Sequence, residues 1–229
     1  MEVEIIVRIE AVLLDIDGTL IDNNALHLLA WQRALRRVGR HVDATTILHK
    51  LGMGSDKLPP DILGPDDRAA AEKAREFHGE EYTDKGLIDH AEAFAGAATL
   101  LRALRDRGIR TALASSAKLD EVEKSLAQLG GPGAVDVTVS SADVSTTKPD
   151  ADVFDTALEK LGRPSRALVI GDTVYDVASA RKAGLPCVCV LSGGIEREVL
   201  AKAGAAAIYV DAADVVAHLD TILAAPAPS

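Results

Sequence analysis

Six residues of this chain have the types and placement to do chemistry together. Asp15 and Asp17 end the apolar stretch AVLLDIDGTL at residues 11–20, Asp172 and Asp176 follow the apolar run ALVI at 167–170, Ser115 closes another apolar run, and Lys148 follows a further one. Asp15, Asp172 and Asp176 supply three carboxylates from two segments, the hard oxygen donors that Mg²⁺ prefers when it keeps room for water. Four gathered acids would repel one another, and at least one takes up a proton unless a cation is present. Mg²⁺ and Lys148 are the two cations that fit. With both in place one carboxylate stays ionised as a nucleophile toward phosphorus, its neighbour donates and accepts a proton, and the Ser115 hydroxyl donates to a phosphoryl oxygen. Taken alone, Asp-x-Asp-Gly is equally an ordinary turn after a strand, because Asp and Gly dominate turns. The other segments break that tie.

What must position these residues is a sheet. Residues 11–14 predict a parallel strand buried on both faces, and Gly18 lets the chain turn sharply behind it. From residue 95 helices and strands alternate: helix 97–107 with Gly108 as its stop, strand 109–114, helix 119–129, strand 135–139, helix 151–161, strand 167–170, helix 174–183, strand 187–191, helix 195–203, strand 207–210 and a closing helix 212–224. Such βα repetition predicts an α/β fold, a doubly wound parallel sheet with helices on both faces. In that architecture the carboxyl ends of the strands face one crevice, and all six residues sit at or just past such ends.

Between the first strand and the repeat no strand signal appears from residue 20 to 88. Asn23 or Asn24 can cap a helix whose apolar stripe runs Leu26, Leu29, Ala30, Ala34, Leu35 and Val38 as far as Gly39. A second helical stretch falls near residues 44–51, and Gly52, Gly54, Pro59, Pro60, Gly64 and Pro65 then predict a loop. A charged helical run follows at 66–81, with Ala69, Ala70, Ala74 and Phe77 on its less polar side. The reading is therefore an all-helical inserted domain at 21–90 and a core formed by 1–20 and 91–229. Residues 2–10 suit either an extended lead-in or an extra edge strand, and 226–229 a frayed tail.

The chain has 229 residues, enough to bury a sizeable core, and Ala, Val and Leu must fill it, since aromatic residues are only 3%. Net charge is 25 minus 35, or −10, which argues against a broad footprint for nucleic acid or an anionic membrane. A phosphorylated ligand needs a local positive site. Cys187 and Cys189 alternate with valines on one face of a buried strand, where a disulfide between them is sterically poor. No stretch has the length of a membrane span and the start MEVEIIVRIE lacks a basic signal region, so a cytoplasmic location is the expectation.

In order and placement these segments resemble the four motifs of the haloacid dehalogenase superfamily, in its branch with an α-helical cap that includes phosphoglycolate phosphatases and β-phosphoglucomutase-like phosphatases. Asp-x-Asp-Gly-Thr stands at Asp15 to Thr19, the motif serine at Ser115, the motif lysine at Lys148-Pro149, and Gly-Asp-x-x-x-Asp at Gly171 to Asp176. The resemblance implies a Mg²⁺-dependent phosphatase acting on a small phosphorylated metabolite, of sugar phosphate or phosphoglycolate type, through an aspartyl-phosphate. It implies Asp15 as nucleophile, Asp17 as acid and then base, Lys148 as charge balance and Ser115 as phosphoryl ligand. Metal would be held by Asp15, the backbone carbonyl of Asp17 and Asp172, with Asp176 ligating through water or orienting the shell. Asp17 argues against a dehalogenase, because cleavage of a carbon–halogen bond needs no protonated leaving oxygen and no Mg²⁺.

The insert resembles the family's cap, and with it go candidate substrate contacts at Gly18, Thr19, Ser116, His27, Gly54 and Lys57, with Met53 beside them. His27 and Trp31 lie four apart, as in the sugar phosphomutase, yet the same spacing suits plain packing at a hinge. The loop 52–57 lacks the mutase's arginine, and Lys57 would replace it only as a less directional charge. Lys57, Lys73, Arg75, His78, Tyr82 and Lys85 read as surface residues by type. A β-phosphoglucomutase-like activity is one alternative and a non-catalytic binding module on the same fold another. A monomer or homodimer is expected.

Overall fold

A computed structural model describes residues 9–224, so the readings for the first eight residues and for the tail beyond 224 lie outside the described residues. Strand β1 (Ala11–Leu14) is buried along its whole length because it is the inner strand of a six-stranded parallel sheet. It pairs on one side with β4 (Arg110–Ala114), Leu14 opposite Leu113, and on the other with β6 (Ala167–Gly171), Leu14 opposite Ile170. With β5 (Val137–Val139), β7 (Cys187–Val190) and β8 (Ala207–Tyr209) the order is β5-β4-β1-β6-β7-β8. The order reverses between β1 and β6, which makes their carboxyl ends the switch point where ligands bind in open sheets.

Alternation along β1 sends Val12 and Leu14 to one face and Ala11 and Leu13 to the other, and each face has its own apolar layer. Leu100 and Leu104 of α5 (Ala97–Asp106), Val122 of α6 (Leu119–Gln128), Val215 of α10 (Ala212–Ala217) and Leu219 of α11 (Leu219–Ala224) cover the first. Phe154 of α7 (Asp152–Lys160), Val177 of α8 (Val174–Lys182) and Leu200 of α9 (Arg197–Ala203) cover the second. The expected single closing helix is thus two. His218 ends α10, its N–H reaching back to Asp214 and its ring Nδ1 lying 2.9 Å from the Asp214 carbonyl. Cys187 and Cys189 are buried free thiols on β7.

Helices α1 (Asn24–Arg37), α2 (Ala44–Leu48), α3 (Leu58–Leu63) and α4 (Arg68–Gly79) form the insert, and α4 runs on into a π-helical turn over Glu80–Asp84. Trp31, Leu35, Ile47, Leu51, Leu58 and Ala74 are its apolar centre. Two expectations change here. The predicted loop contains α3, because Pro59 and Pro60 occupy the first helical turn, where a missing N–H costs nothing. A strand pair also exists where no strand was predicted: β2 (Ile21–Asp22) runs antiparallel to β3 (Glu92–Ala93), tying the two chain passes between core and insert. Two residues are too few to show a period.

Candidate active site

Asp15 prolongs the β1 ladder by donating its N–H to the Ile170 carbonyl at 2.9 Å, which brings its side chain beside those following β6. Asp172 leaves the end of β6, and Asp176 lies in the first turn of α8, capped by Thr173, whose N–H and hydroxyl donate to Asp176 Oδ2 at 3.0 and 2.6 Å. Asp15, Asp172 and Asp176 each offer an oxygen within 4.8 Å of the other two, and all three are buried. Lys148, 1% exposed, donates to Asp15 and holds its ammonium 2.8 Å from Asp176 Oδ1. Ser115 is buried at the end of β4, and Ser116 Oγ accepts the Lys148 N–H at 3.3 Å.

Charge explains what this cluster lacks. Burial pushes the Asp15 carboxyl up to about 7, against the pull of Lys148 and with further push from Asp176 and Asp17. Burial, then the charges of Asp176 and Asp15, raise Asp172 well above the usual carboxylate value. Burial alone would lower Lys148, but Asp15 and Asp176 outweigh it and hold the ammonium above its ordinary value. One lysine for three buried acids leaves an excess of negative charge on hard oxygen donors, the environment a divalent cation fits.

Asp17 is outside that carboxylate cluster. Its side chain, 26% exposed, turns toward the insert, where Asn23 Nδ2 donates to it and His27 Nε2 lies 3.8 Å from it. Burial would raise this carboxyl, but His27 and Asn23 more than offset that and leave it lowered. The two acids of the first motif therefore sit in opposite environments, one pushed up and one held down.

Between the insert and the sheet lies a partly open cavity of about 90 Å³ lined by Asp15, Asp17, Ser115 and Lys148. His27, Trp31, Met53 and His78 come from the insert, and Ser116, Lys118 and Glu121 complete the core side. Four expected substrate contacts are elsewhere. Gly18, at φ +74°, allows the chain to pass Asp172: a Cβ there would meet Asp172 Oδ2 at 2.3 Å. Thr19 is buried and donates its hydroxyl to Asp172 Oδ1 at 2.9 Å, and Asn24 Nδ2 donates to Oδ2 at 3.3 Å, so both orient Asp172. Gly54 packs on Thr147, where a Cβ would lie 1.7 Å from the hydroxyl oxygen. Lys57 reaches past the cavity to Asp150 Oδ2 at 2.5 Å, while Asp56 accepts the Thr147 hydroxyl at 2.5 Å. These contacts clasp the insert to the loop that carries Lys148.

His78 and Tyr82, expected on the surface by residue type, are 8% and 1% exposed. The buried face of α4 runs Ala71, Ala74 and His78, one residue round from the face read in the sequence. The spacing of 71, 74, 78 and 82 is that of a helical stripe, so the signal existed, but two polar types hid it.

The family described as haloacid dehalogenase-like hydrolase matches residues 9–184. The chain is 30% identical to the validoxylamine A 7'-phosphate phosphatase of Streptomyces hygroscopicus subsp. limoneus over 179 residues, covering 77% of this chain and 83% of that protein. It is 29% identical to a phosphoglycolate phosphatase of Rhodospirillum rubrum over 213 residues, 88% of this chain and 87% of that one. Among solved structures, a hydrolase from Pseudomonas syringae superimposes with a TM-score of 0.86 at 32% identity, covering 93% of this chain and 98% of that one. No helix among the described residues is long and apolar enough to cross a membrane.

Proposed function

The chain belongs to the haloacid dehalogenase-like hydrolases, and from that membership we propose that it is a Mg²⁺-dependent phosphatase that hydrolyses a small phosphorylated metabolite through an aspartyl-phosphate on Asp15. One observation carries the reading: the buried Asp15, Asp172 and Asp176 oxygens within 4.8 Å of one another, with Lys148 between Asp15 and Asp176, and Asp15 and Lys148 lining a cavity under the insert. Asp15, Asp172 and Asp176, with the Asp17 carbonyl, would hold a Mg²⁺ ion, which when bound would neutralise charge on the phosphoryl oxygens.

The protein's own residues do the rest. An Asp15 carboxylate oxygen bonds to phosphorus as the bond from phosphorus to the leaving oxygen breaks. Asp17, whose carboxyl His27 and Asn23 hold low in the free site, takes up a proton as substrate binds and gives it to that oxygen. Water then attacks phosphorus, Asp17 takes a proton from it, and the bond to Asp15 breaks to release inorganic phosphate. Ser115 donates to the phosphoryl group and Lys148 offsets the charge on Asp15 throughout. His27, Trp31 and His78 line the insert side of the cavity, across from the reacting groups.

The phosphomutase alternative loses its sequence candidate for a second phosphate, since Lys57 is engaged by Asp150, although Arg75 of the insert and Lys118 line the cavity. A non-catalytic module would be expected to have lost a motif acid, and none is missing. The test is phosphate release from a panel of phosphorylated metabolites, with Mg²⁺ and with chelator, alongside Asp15→Asn. Release that needs both metal and Asp15 supports the reading. Release by Asp15→Asn at the wild-type rate overturns the nucleophile assignment, and no release from any member returns weight to the alternatives.

A further inference from the structure

The roof of the cavity contains a buried histidine that the phosphoryl-transfer steps do not use. His78 lies flat against Trp31, ring centroids 4.0 Å apart and planes 20° from parallel. Its Nε2 is 3.2 Å from His27 Nδ1, and the two imidazole planes differ by only 9° with centroids 5.4 Å apart, the geometry of an edge-to-edge hydrogen bond. The face of His27 stacks on Tyr82 at 3.9 Å, and Asn23 Nδ2 donates both to Tyr82 Oη at 3.0 Å and to Asp17. A line of contacts thus runs from Trp31 through His78 and His27 to Asp17.

We propose that His78 is a positioning residue: its hydrogen bond to His27 Nδ1 fixes the His27 ring so that Nε2 stays beside the Asp17 carboxyl, 3.8 Å from Oδ1 and 3.4 Å from the Asn23 Nδ2 that donates to it, while the leaving oxygen is protonated. The inference rests on the proposed acid–base role of Asp17. A free imidazole on α1 could turn about its Cα–Cβ and Cβ–Cγ bonds. Here Tyr82 limits one face, and the nitrogen partner on α4 selects the ring orientation. Burial, and then the nearby charges of His27 and Lys118, hold His78 well below the ordinary imidazole value, so it partners His27 as a neutral ring. Both histidines belong to the insert and Asp17 to the core, so the acid is completed only where the two parts meet.

The experiment compares kcat/KM for an alkyl phosphate, whose leaving oxygen needs a proton, with that for p-nitrophenyl phosphate, whose leaving group departs without one. In His78→Phe, which keeps a ring against Trp31 and loses the nitrogen, kcat/KM should fall about tenfold on the alkyl ester and less than about twofold on the nitrophenyl ester. His78→Gln, which keeps a hydrogen-bonding group, should recover most of the loss. In a His27→Leu background His78→Phe should cost nothing further. Equal losses on both esters, no loss, or full additivity with His27→Leu would each overturn the proposal. Nitrogen-15 NMR of the wild-type protein needs no variant: a coupling across the hydrogen bond between His27 Nδ1 and His78 Nε2 is expected, and its absence removes the contact on which the role depends. If the wild type cleaves neither ester, the phosphatase reading falls and this role with it, even where the coupling is observed.

Discussion

Lys148→Met tests the electrostatic account of the site where the effect is largest. The side chain is 1% exposed, and methionine replaces its length while removing the charge between Asp15 and Asp176. Removing one partner of a buried ion pair costs about 3–5 kcal/mol, because the remaining charge is left uncompensated in a dry site. Protonation is the escape. Asp15 is pushed up to about 7 with Lys148 present, and Lys148 is the strongest influence holding it down. Its loss moves the carboxyl higher still. A carboxyl whose folded value exceeds its unfolded one keeps its proton in the native state after the unfolded chain has lost it. Stability from that group therefore falls as pH rises from about 4 toward the folded value. The variant should lose about 3–5 kcal/mol relative to wild type at pH 8, above the Asp15 value, and less than half of that at pH 5.5. Urea unfolding in chelator at the two pH values reads this as a midpoint shift at constant slope. Saturating Mg²⁺ should recover part of the loss by supplying the missing positive charge. A loss below about 1 kcal/mol at pH 8, or one equal at the two pH values, would refute the claim that Lys148 chiefly compensates buried carboxylates.

Gly54→Ala places a methyl group 1.7 Å from the Thr147 hydroxyl oxygen, and overpacking of about 1–3 kcal/mol at the clasp should raise KM about 5- to 150-fold in steady-state assays, with an unchanged KM counting against the clasp. Thr19→Val removes the hydroxyl that holds Asp172 Oδ1 and should raise the Mg²⁺ concentration for half-maximal activity about 10- to 100-fold, which a metal titration checks. His78 is held below the ordinary imidazole value, so the unfolded chain gains its proton first as pH falls below about 6.5 and the group's stability is lost in that direction. The advantage of wild type over His78→Gln in urea unfolding should accordingly be larger at pH 7.5 than at pH 5.5, and a pH-independent difference would show that His78 is not buried neutral.

The sheet was legible because its strands are short and largely apolar, and β1, β4 and β5 each stop at a polar residue, Asp15, Ser115 and Ser140. The sequence reading of β1 at 11–14 coincides with the observed Ala11–Leu14, and those of β6 and β7 lie within a residue of the observed ends. β2, α3 and the break at His218 were not legible, since two residues show no period, prolines read as loop punctuation, and one histidine does not interrupt an apolar stripe.

For the site, the sequence by itself determined which residues end strands, and parallel pairing then obliges Asp15, Ser115, Lys148 and Asp172 to share one crevice. Only the tertiary structure decided what meets them there. It put Asp176 and Asp15 on the same ammonium and gave Asp172 its orientation from Thr19 and Asn24. It also turned Asp17 toward His27, carried Lys57 away to Asp150, and buried His78 and Tyr82 against α1. The physical reason is that periodicity reports the side of its own element on which a residue lies, whereas partners come from another element whose approach depends on the packing of the whole chain.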